Sequence, residues 1–210
     1  LERLLTRAGL PGAQATASLQ DWMDADDVVR GSGAEQGAYP QILVKNGFLD
    51  SIQELDQLQS WGPPQLPPPP PLDPSGGRLE EFQELLSGGS TNSGQSTWSD
   101  WLSPYALGKI NVNTAPAEVL ASLDTAMSDS VVTELIALRS RNVIRSQEDL
   151  KKIPGIDADL AFRLGKLVGF ASQVFRVRVI VTSQDIPLEL EAMLERKSQR
   201  DIVVRFWRAH

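Results

Sequence analysis

The sequence contains no cysteine and only one histidine, His210, at the last of its 210 positions. Without cysteine the chain cannot form a disulfide, a thiolate metal site or a cysteine nucleophile. A Ser-His-Asp triad or a multi-histidine metal site needs a histidine inside the fold, and a terminal one argues against both. No phosphate loop, nucleophile elbow or placed acid–base pair is visible either. We therefore expect a protein that is not an enzyme.

Long apolar runs and basic character are also missing. No apolar run approaches the roughly 20 residues that a membrane-spanning helix needs. The formal net charge is -7 and the sequence pI is about 4.8, whereas a domain that binds nucleic acid is usually basic where it touches phosphate. Hydrophobic residues make up 41% of the chain, which is enough for a core in one or two domains.

Most of the chain, residues 1–172, has the apolar spacing of short helices. Gly9 is expected to end the first helix, and Asn113 or Thr114 to cap a later one before Pro116. Ser146-Gln147-Glu148-Asp149 has the form of a capping box. The predicted helices lie near residues 1–8, 11–22, 51–58, 79–86, 116–123, 128–139, 146–150 and 160–168.

Residues 61–99 differ in composition from the helical segments. Eight prolines between Pro63 and Pro74 predict an extended polyproline II spacer. Residues 88–99 are rich in Ser, Gly, Thr and Asn, which is typical of a mobile loop. Trp98, Trp101 and Tyr105 are expected to anchor the chain back onto the core.

From Phe175 onward the apolar period changes from helical spacing to two. This predicts three antiparallel strands joined by polar turns in residues 173–210, although the middle strand also contains good helix formers. Such a sheet has one apolar face, which needs a cover. The residues expected on that face include Val177, Val179 and Val181 on the first strand and Val204 and Phe206 on the last.

Residues 21–39 form an acidic segment with the composition of a cation site. Asp24, Asp26 and Asp27 lie within four positions, and Glu35 follows after two glycines. Calcium takes about 6–8 oxygen ligands from carboxylates, carbonyls and water. Asp24, Asp26 and Glu35 could supply part of that shell. The spacing is not that of an EF-hand, so a solvated acidic loop without an ion is the alternative.

Three further segments carry a family resemblance. Residues 110–120 read Ile-Asn-x-Asn-Thr-Ala-x-x-Glu-x-Leu, followed by Ser146–Leu150 and by Ile153-Pro154-Gly155-Ile156. Together, residues 108–170 resemble paired helix-hairpin-helix units. Two families use that pattern, namely DNA-binding and DNA-uptake proteins and the K-type minor pseudopilins of type II secretion systems.

Two features favour the pseudopilins over a DNA-binding protein. A DNA-binding hairpin wants a second glycine where this chain has Asp157, whose carboxylate would repel a phosphate. The order of an Asp-Trp acidic segment, a helical domain and terminal strands is similar to that of the K-type family over nearly the whole chain. The resemblance implies an α+β fold, in which a mainly helical domain is inserted into a pilin-like fold before a three-stranded antiparallel sheet.

The resemblance also implies a function and partners. It implies a structural subunit at the tip of the periplasmic pseudopilus, which helps to initiate its assembly and protein export. The implied partners are I-type and J-type minor pseudopilins, with secreted substrate proteins as further candidates and no nucleic acid. It further implies an N-terminal membrane helix absent from this chain, which would make the chain a periplasmic fragment.

The resemblance assigns residues as well. In the family the acidic residues of this region are associated with calcium, which implicates Asp24, Asp26 and Glu35. Asn46 stands where the family tends to place an asparagine. In a pilin-like fold the apolar sheet face lies on the long N-terminal helix. Because that helix is missing here, we expect Val177, Val179, Val181, Val204 and Phe206 to form the partner interface.

Overall fold

The computed structural model describes residues 1–67, 96–105, 108–183 and 186–209. The fold is α+β with a C-terminal antiparallel sheet, as predicted. The described residues divide into two compact units, Leu1–Pro104 with Thr114–Thr133, and Tyr105–Asn113 with Glu134–His210. The boundary at residue 172 remains a prediction. Much of the proline-rich stretch, the helix expected near Leu79 and the loop up to Gln95 lie outside the described residues.

Helices α1 (Glu2–Arg7) and α2 (Gly12–Met23) begin the first unit as a packed helical pair. Gly9 has a φ of +83° and lies just beyond α1, as expected of the glycine that follows a helix. Leu5 on α1 and Ala8, its C-cap, are fully buried, and Ala15 and Trp22 are buried on α2. This apolar stripe forms part of the core of the first unit.

The segment predicted as a helix near residues 51–58 is a 3₁₀-helix, Ile52–Gln57, instead of an α-helix. Ser51 and Glu54 form a capping box at its start. Its six residues make two turns, which is long for a 3₁₀-helix. The segment is therefore helical where predicted, and the prediction of the helix type was wrong.

Trp98 anchors the chain in the first unit as predicted. Its side chain is buried and packs edge to face on Trp61, with the ring centroids 5.0 Å apart. The indole nitrogen of Trp98 donates to the Gly62 carbonyl over 2.7 Å, and that of Trp61 donates to the Ala15 carbonyl over 2.8 Å. Both indole N–H groups are thus satisfied, that of the buried Trp98 and that of the half-buried Trp61.

Helix α3 (Ala117–Ala121) has Pro116 as its N-cap and no side-chain cap, so the expected cap by Asn113 or Thr114 is wrong. The Asn113 amide is used elsewhere, in the second unit. Its nitrogen donates to the carbonyls of Ile144 and Phe170, and its oxygen accepts from the Ile144 N–H. Asn113 therefore joins two backbone segments that no secondary structure would join.

The helices of the second unit end close to their predicted bounds. Helix α4 (Asp129–Arg141) continues into it, followed by α5 (Gln147–Leu150) and α6 (Ala158–Leu167). Ser146 forms the predicted capping box with Asp149. Val168 belongs to a short strand, not to the last helix, since β1 (Ile110–Asn111) pairs in parallel with β2 (Val168–Gly169).

The C-terminal sheet has the order β3–β4–β5 and both pairs are antiparallel. Its strands are β3 (Val174–Ser183), β4 (Ile186–Arg196) and β5 (Ile202–Ala209). The middle segment is a strand despite its helix-forming residues, because both of its edges are paired. Within the described part of the chain, none of the helices has the length and apolarity needed to cross a bilayer.

Candidate metal centre and sheet surface

Three carboxylates of the first unit converge on one point. Asp21 lies in the last turn of α2, Asp24 is its C-cap, and Glu35 precedes a short 3₁₀-helix, Gln36–Ala38. One oxygen of each lies within 4.8 Å of the others. Asp21 and Asp24 are three positions apart, the spacing that places side chains on one side of a helix. The intervening chain, residues 25–34, then returns Glu35 to the same place.

The returning chain passes very close to Asp21. A Cβ on Gly33 would lie 2.1 Å from Asp21 Oδ2, so only glycine fits there. The Arg30 N–H donates to Asp21, and the Arg30 side chain donates to Asp24 over 2.6 Å. Asp21 itself has no exposed surface. These contacts fix the loop against the end of α2.

The cluster contains buried oxygens with no protein donor. Among the residues that the structure describes, both carboxylate oxygens of Glu35 and one of Asp24 are buried without a hydrogen-bond partner. The side-chain oxygen of Asn46 is in the same state. Leaving a buried acceptor unsatisfied costs about 1–3 kcal/mol, and more for a charged one. Carboxylate and amide oxygens such as these four are the ligand type that hard cations prefer.

The electrostatics of Glu35 agree with that interpretation. Its side chain is 4% exposed. Burial raises the pKa of Glu35 above its ordinary value, and the negative charges of Asp21 and Asp24 raise it further. A divalent cation would reverse both effects, because it supplies the positive charge that the ionised carboxylate lacks.

Two aromatic residues, Trp22 and Tyr39, flank this loop in the sequence and pack against each other. Trp22 packs edge to face on Tyr39, with the ring centroids 5.6 Å apart. The Trp22 indole donates to Glu54 over 3.2 Å, and the Tyr39 hydroxyl accepts from the Gln59 N–H over 3.1 Å. The tryptophan and the tyrosine of the acidic motif therefore fix the ends of the segment that contains the carboxylates.

The four residues predicted as metal ligands do not all belong to the carboxylate cluster. Asp24 and Glu35 belong to the cluster, whereas Asp26 is exposed and accepts a hydrogen bond from the Val28 N–H. Asn46 has a φ of +48°, and its amide nitrogen donates to Asp27 over 3.4 Å. Asp21 was not predicted. The three-residue spacing from Asp24 at a helix end could have indicated it.

The sheet of the second unit presents an apolar face. Directly opposed residues of antiparallel strands lie on the same face, and Val177, Val179 and Val181 oppose Ala192, Leu190 and Leu188. Val204 opposes Leu194 on the same face. Val179, Val181, Leu188 and Val204 are exposed. Four of the five residues predicted for the partner interface therefore share one face.

Phe206 is the exception. The prediction that residues of β5 alternate strictly between the two faces was wrong. The register between β4 and β5 shifts at Met193 and Leu194, so that Val204 opposes Leu194 but Phe206 opposes Met193. The extra residue, Arg205, forms a β-bulge. Phe206 therefore lies on the opposite face, and Trp207, which is 64% exposed, lies opposite Ala192 on the apolar face.

The opposite face of the sheet is charged and internally paired. Arg178 pairs with Glu189, and Arg176 and Arg208 both pair with Glu191. Arg205, at the bulge, pairs with the buried Glu195. The opposite charges of these cross-strand pairs neutralise one another. These paired side chains therefore need no partner protein to neutralise their charge.

In the hairpin-like segment of the second unit, acidic side chains bind the groups that could otherwise bind an anion. Gly155 has a φ of +87°, as the turn requires. Asp157 caps α6 by accepting from the Leu160 N–H over 2.8 Å. Lys151 and Lys152 each form an ion pair of 2.7 Å, with Glu148 and Asp149. An anion would have to displace a carboxylate to reach this helix end.

Comparison with known proteins gave two family matches and a likeness to solved structures. A family model described as type II secretion system (T2SS), protein K, matches residues 110–167, and a second model of protein K matches residues 1–67. A search of curated proteins gave no match.

The structural likeness is to a chain in the crystal structure of the GspK-GspI-GspJ complex from the enterotoxigenic Escherichia coli type 2 secretion system, with a TM-score of 0.63 and 16% identity. It covers 100% of this chain and 68% of that chain. At this identity the likeness shows a shared fold.

Proposed function

The chain belongs to the protein K family of the type II secretion system, and on that premise we propose that it acts as a minor pseudopilin at the tip of the periplasmic pseudopilus. The observation that carries the proposal is the pair of family matches, which occur in order and together span residues 1–67 and 110–167. In this role the protein is a structural subunit that helps to start assembly of the fibre and export across the outer membrane, and it has no catalytic centre.

The proposed partners are I-type and J-type minor pseudopilins. The similar fold comes from a chain solved in complex with GspI and GspJ, which supports the same assembly for this protein. The apolar sheet face supports it physically, because exposed valines and Trp207 gain stability when a partner excludes water from them. The interface therefore consists of Val177, Val179, Val181 and Val204, with Trp207 in the position that was expected for Phe206.

Calcium is the proposed cofactor. Asp21, Asp24 and Glu35 would hold it, and Asn46 would add an amide oxygen, since its buried side-chain oxygen has no partner among the described residues. The ion would supply positive charge to a buried acidic cluster. The chain's own contribution is to position the ligands: α2 fixes Asp21 and Asp24, and Gly33 lets the loop return close enough for Glu35 to join them.

DNA binding remains the alternative for a chain with helix-hairpin-helix-like units. The cap by Asp157 and the ion pairs of Lys151 and Lys152 argue against it, as does the net charge of -7. Duplex binding near micromolar at physiological salt that is lost in a Lys151→Ala/Lys152→Ala double variant would favour this alternative.

Reconstitution tests the proposed assembly. The chain is mixed with the soluble domains of I-type and J-type minor pseudopilins from the same secretion system, and the mixture is analysed by size-exclusion chromatography with light scattering. A single species with the mass of all three chains supports the proposal. Three separate peaks would reject it.

A further inference from the structure

Two loops beside the proposed cation cluster present large apolar side chains to solvent. Leu43 is 85% exposed, Phe48 is 82% exposed and Val28 is 70% exposed, and the adjacent Val29 is also exposed. Val44, next to Leu43, is buried instead. The two loops therefore bury one apolar side chain, Val44, and leave four others exposed to solvent.

Hydrogen bonds hold these two loops together at the cluster. Asn46 donates to Asp27 over 3.4 Å, and the Gly47 N–H donates to the Trp22 carbonyl over 3.4 Å. The Gln36 side chain donates to the Ile42 carbonyl over 3.0 Å and accepts from the Val44 N–H over 2.9 Å. Leu43 and Phe48 are therefore displayed by backbone that is tied to the acidic segment. We refer to Val28, Val29, Leu43 and Phe48 as the loop patch.

The surroundings of the loop patch are strongly acidic. Residues 21–54 contain seven carboxylates, whereas Arg30 and Lys45 are the only basic residues, so their formal charge is −5. Asp26 and Asp27, which adjoin Val28, are exposed. A bound divalent cation would leave this region at −3. An apolar patch in a negative field fits a partner that is both apolar and cationic.

Charge also selects among the possible occupants. A second copy of the chain has a net charge of -7 and would be repelled. Residues 68–95 of the same chain contain four carboxylates against one arginine, so they too have the wrong sign. A cationic segment of a different protein is the occupant that the charges favour.

We propose that the loop patch is a cation-organised docking surface for an apolar, lysine- or arginine-rich segment of another protein. The inference rests on the cation proposed above. Without the ion, the Asn46 oxygen and both Glu35 oxygens have no partner among the described residues, and only the hydrogen bonds given above join the loops on which Leu43 and Phe48 stand. With the ion, the patch is organised before the partner arrives, and this preorganisation strengthens binding.

Fluorescence anisotropy on the full chain tests the proposal. The probe is a labelled peptide of leucine and lysine at helical spacing, and its counterpart has glutamate in place of every lysine. Both are titrated at physiological salt in millimolar calcium and in chelator. Phe48→Ser and Leu43→Ser each remove one apolar side chain of the loop patch. Both side chains are exposed, so neither change disturbs a core. Phe162→Ser is the matched control, since Phe162 is 58% exposed but lies on α6 in the other unit.

The expected result is that the lysine peptide binds in calcium, that chelator weakens it, and that each patch variant weakens it by about tenfold or more. Phe162→Ser should leave binding unchanged, and the glutamate peptide should not bind. Equal binding by Phe48→Ser and Phe162→Ser, or equal binding in calcium and in chelator, would overturn the proposal. Assembly with I-type and J-type domains is measured separately on Phe48→Ser, so a failure here is distinguishable from a failure of the tip assignment.

Discussion

Trp207 and Val177 lie on the same face of the C-terminal sheet, because each is the cross-strand partner of Ala192. The bulge at Arg205 creates this relationship by reversing the alternation of β5 after Val204. The large aromatic side chain therefore joins the apolar face, and the neighbouring Phe206 joins the ion-paired face. The apolar face thus contains Trp207 in place of the Phe206 that strict alternation would put there.

Calcium is expected to raise the melting temperature of the protein. Binding to the folded state alone stabilises it by about 2.7 kcal/mol when the free ion is at a hundred times its dissociation constant. Differential scanning calorimetry in calcium and in chelator measures the effect. Asp24→Asn should blunt the rise, whereas the exposed Asp26, which is not in the cluster, should tolerate the same change. Identical melting curves with and without calcium would contradict the metal centre.

Glu35→Gln should have opposite effects in chelator and in calcium. The pKa of Glu35 is raised in the folded state. Stability without calcium therefore falls as the pH rises from the ordinary carboxyl pKa through the raised one, where folding requires burial of the charge. The amide removes that charge, so the variant should be more stable in chelator near neutral pH, by about 1 kcal/mol.

In calcium the same variant should lose the stabilisation that the wild type gains. Urea unfolding at neutral pH, in chelator and in calcium, gives both differences. A variant that is less stable than the wild type in chelator would show that Glu35 has a favourable partner without the ion.

Asn113→Ala should destabilise the second unit by about 2 kcal/mol or more. The change deprives two backbone carbonyls and one N–H of their partner, and each unsatisfied buried group costs about 1–3 kcal/mol. Asn142→Ala is the control, because Asn142 is exposed at the end of α4. Chemical denaturation followed by amide exchange at Ile144 measures the loss. Equal stability of the two variants would contradict the role given to Asn113.

Asp149 should contribute to stability at neutral pH and lose that contribution in acid. The hydrogen bond from Lys152 and those from the Arg145 N–H and Ser146 lower the pKa of Asp149 to about 2. The contribution is therefore complete above the ordinary pKa of about 3.8 and disappears as the pH falls towards about 2. Asp149→Ala should weaken the acid dependence of unfolding, and Glu148→Ala should change it less. An unchanged acid profile in Asp149→Ala would contradict this assignment.

Local sequence signals predicted the elements whose cause is local. The capping box of Ser146 and Asp149 and the glycine after α1 depend on neighbours a few residues away, and both are present. The three strands follow from the period-two pattern. The bulge at Arg205 could not be predicted, because it depends on the register with β4 and not on the sequence of β5 itself.

The carboxylate cluster, too, could be predicted from the sequence only in part. Asp24 and Glu35 were predicted from the acidic composition of the segment, and the structure brings them together. Asp21 was missed because its burial depends on the return of Arg30 and Gly33 against the end of α2, which is a tertiary contact. Asp26 was included because it lies between acidic neighbours, yet its side chain caps its own turn instead.

Trp207→Ala and Phe206→Ala should differ in their effect on the tip complex. Truncating an exposed aromatic that becomes central in an interface weakens binding by about tenfold or more, so Trp207→Ala should lower the affinity for the I-type and J-type domains. Phe206 faces Met193 on the charged side, and Phe206→Ala should leave the affinity within about twofold. Surface plasmon resonance on folded variants gives both values. The reverse order would place the interface on the ion-paired face.

The most direct test of the account is the stoichiometry of the wild-type chain with its proposed partners. Equimolar chain, I-type domain and J-type domain from one secretion system are analysed together by light scattering during size exclusion. The account predicts one peak with the mass of a 1:1:1 complex, and crosslinks from the apolar sheet face to a partner. Separate elution of all three chains, or crosslinks confined to residues 61–99, would contradict the assignment of this protein to the pseudopilus tip.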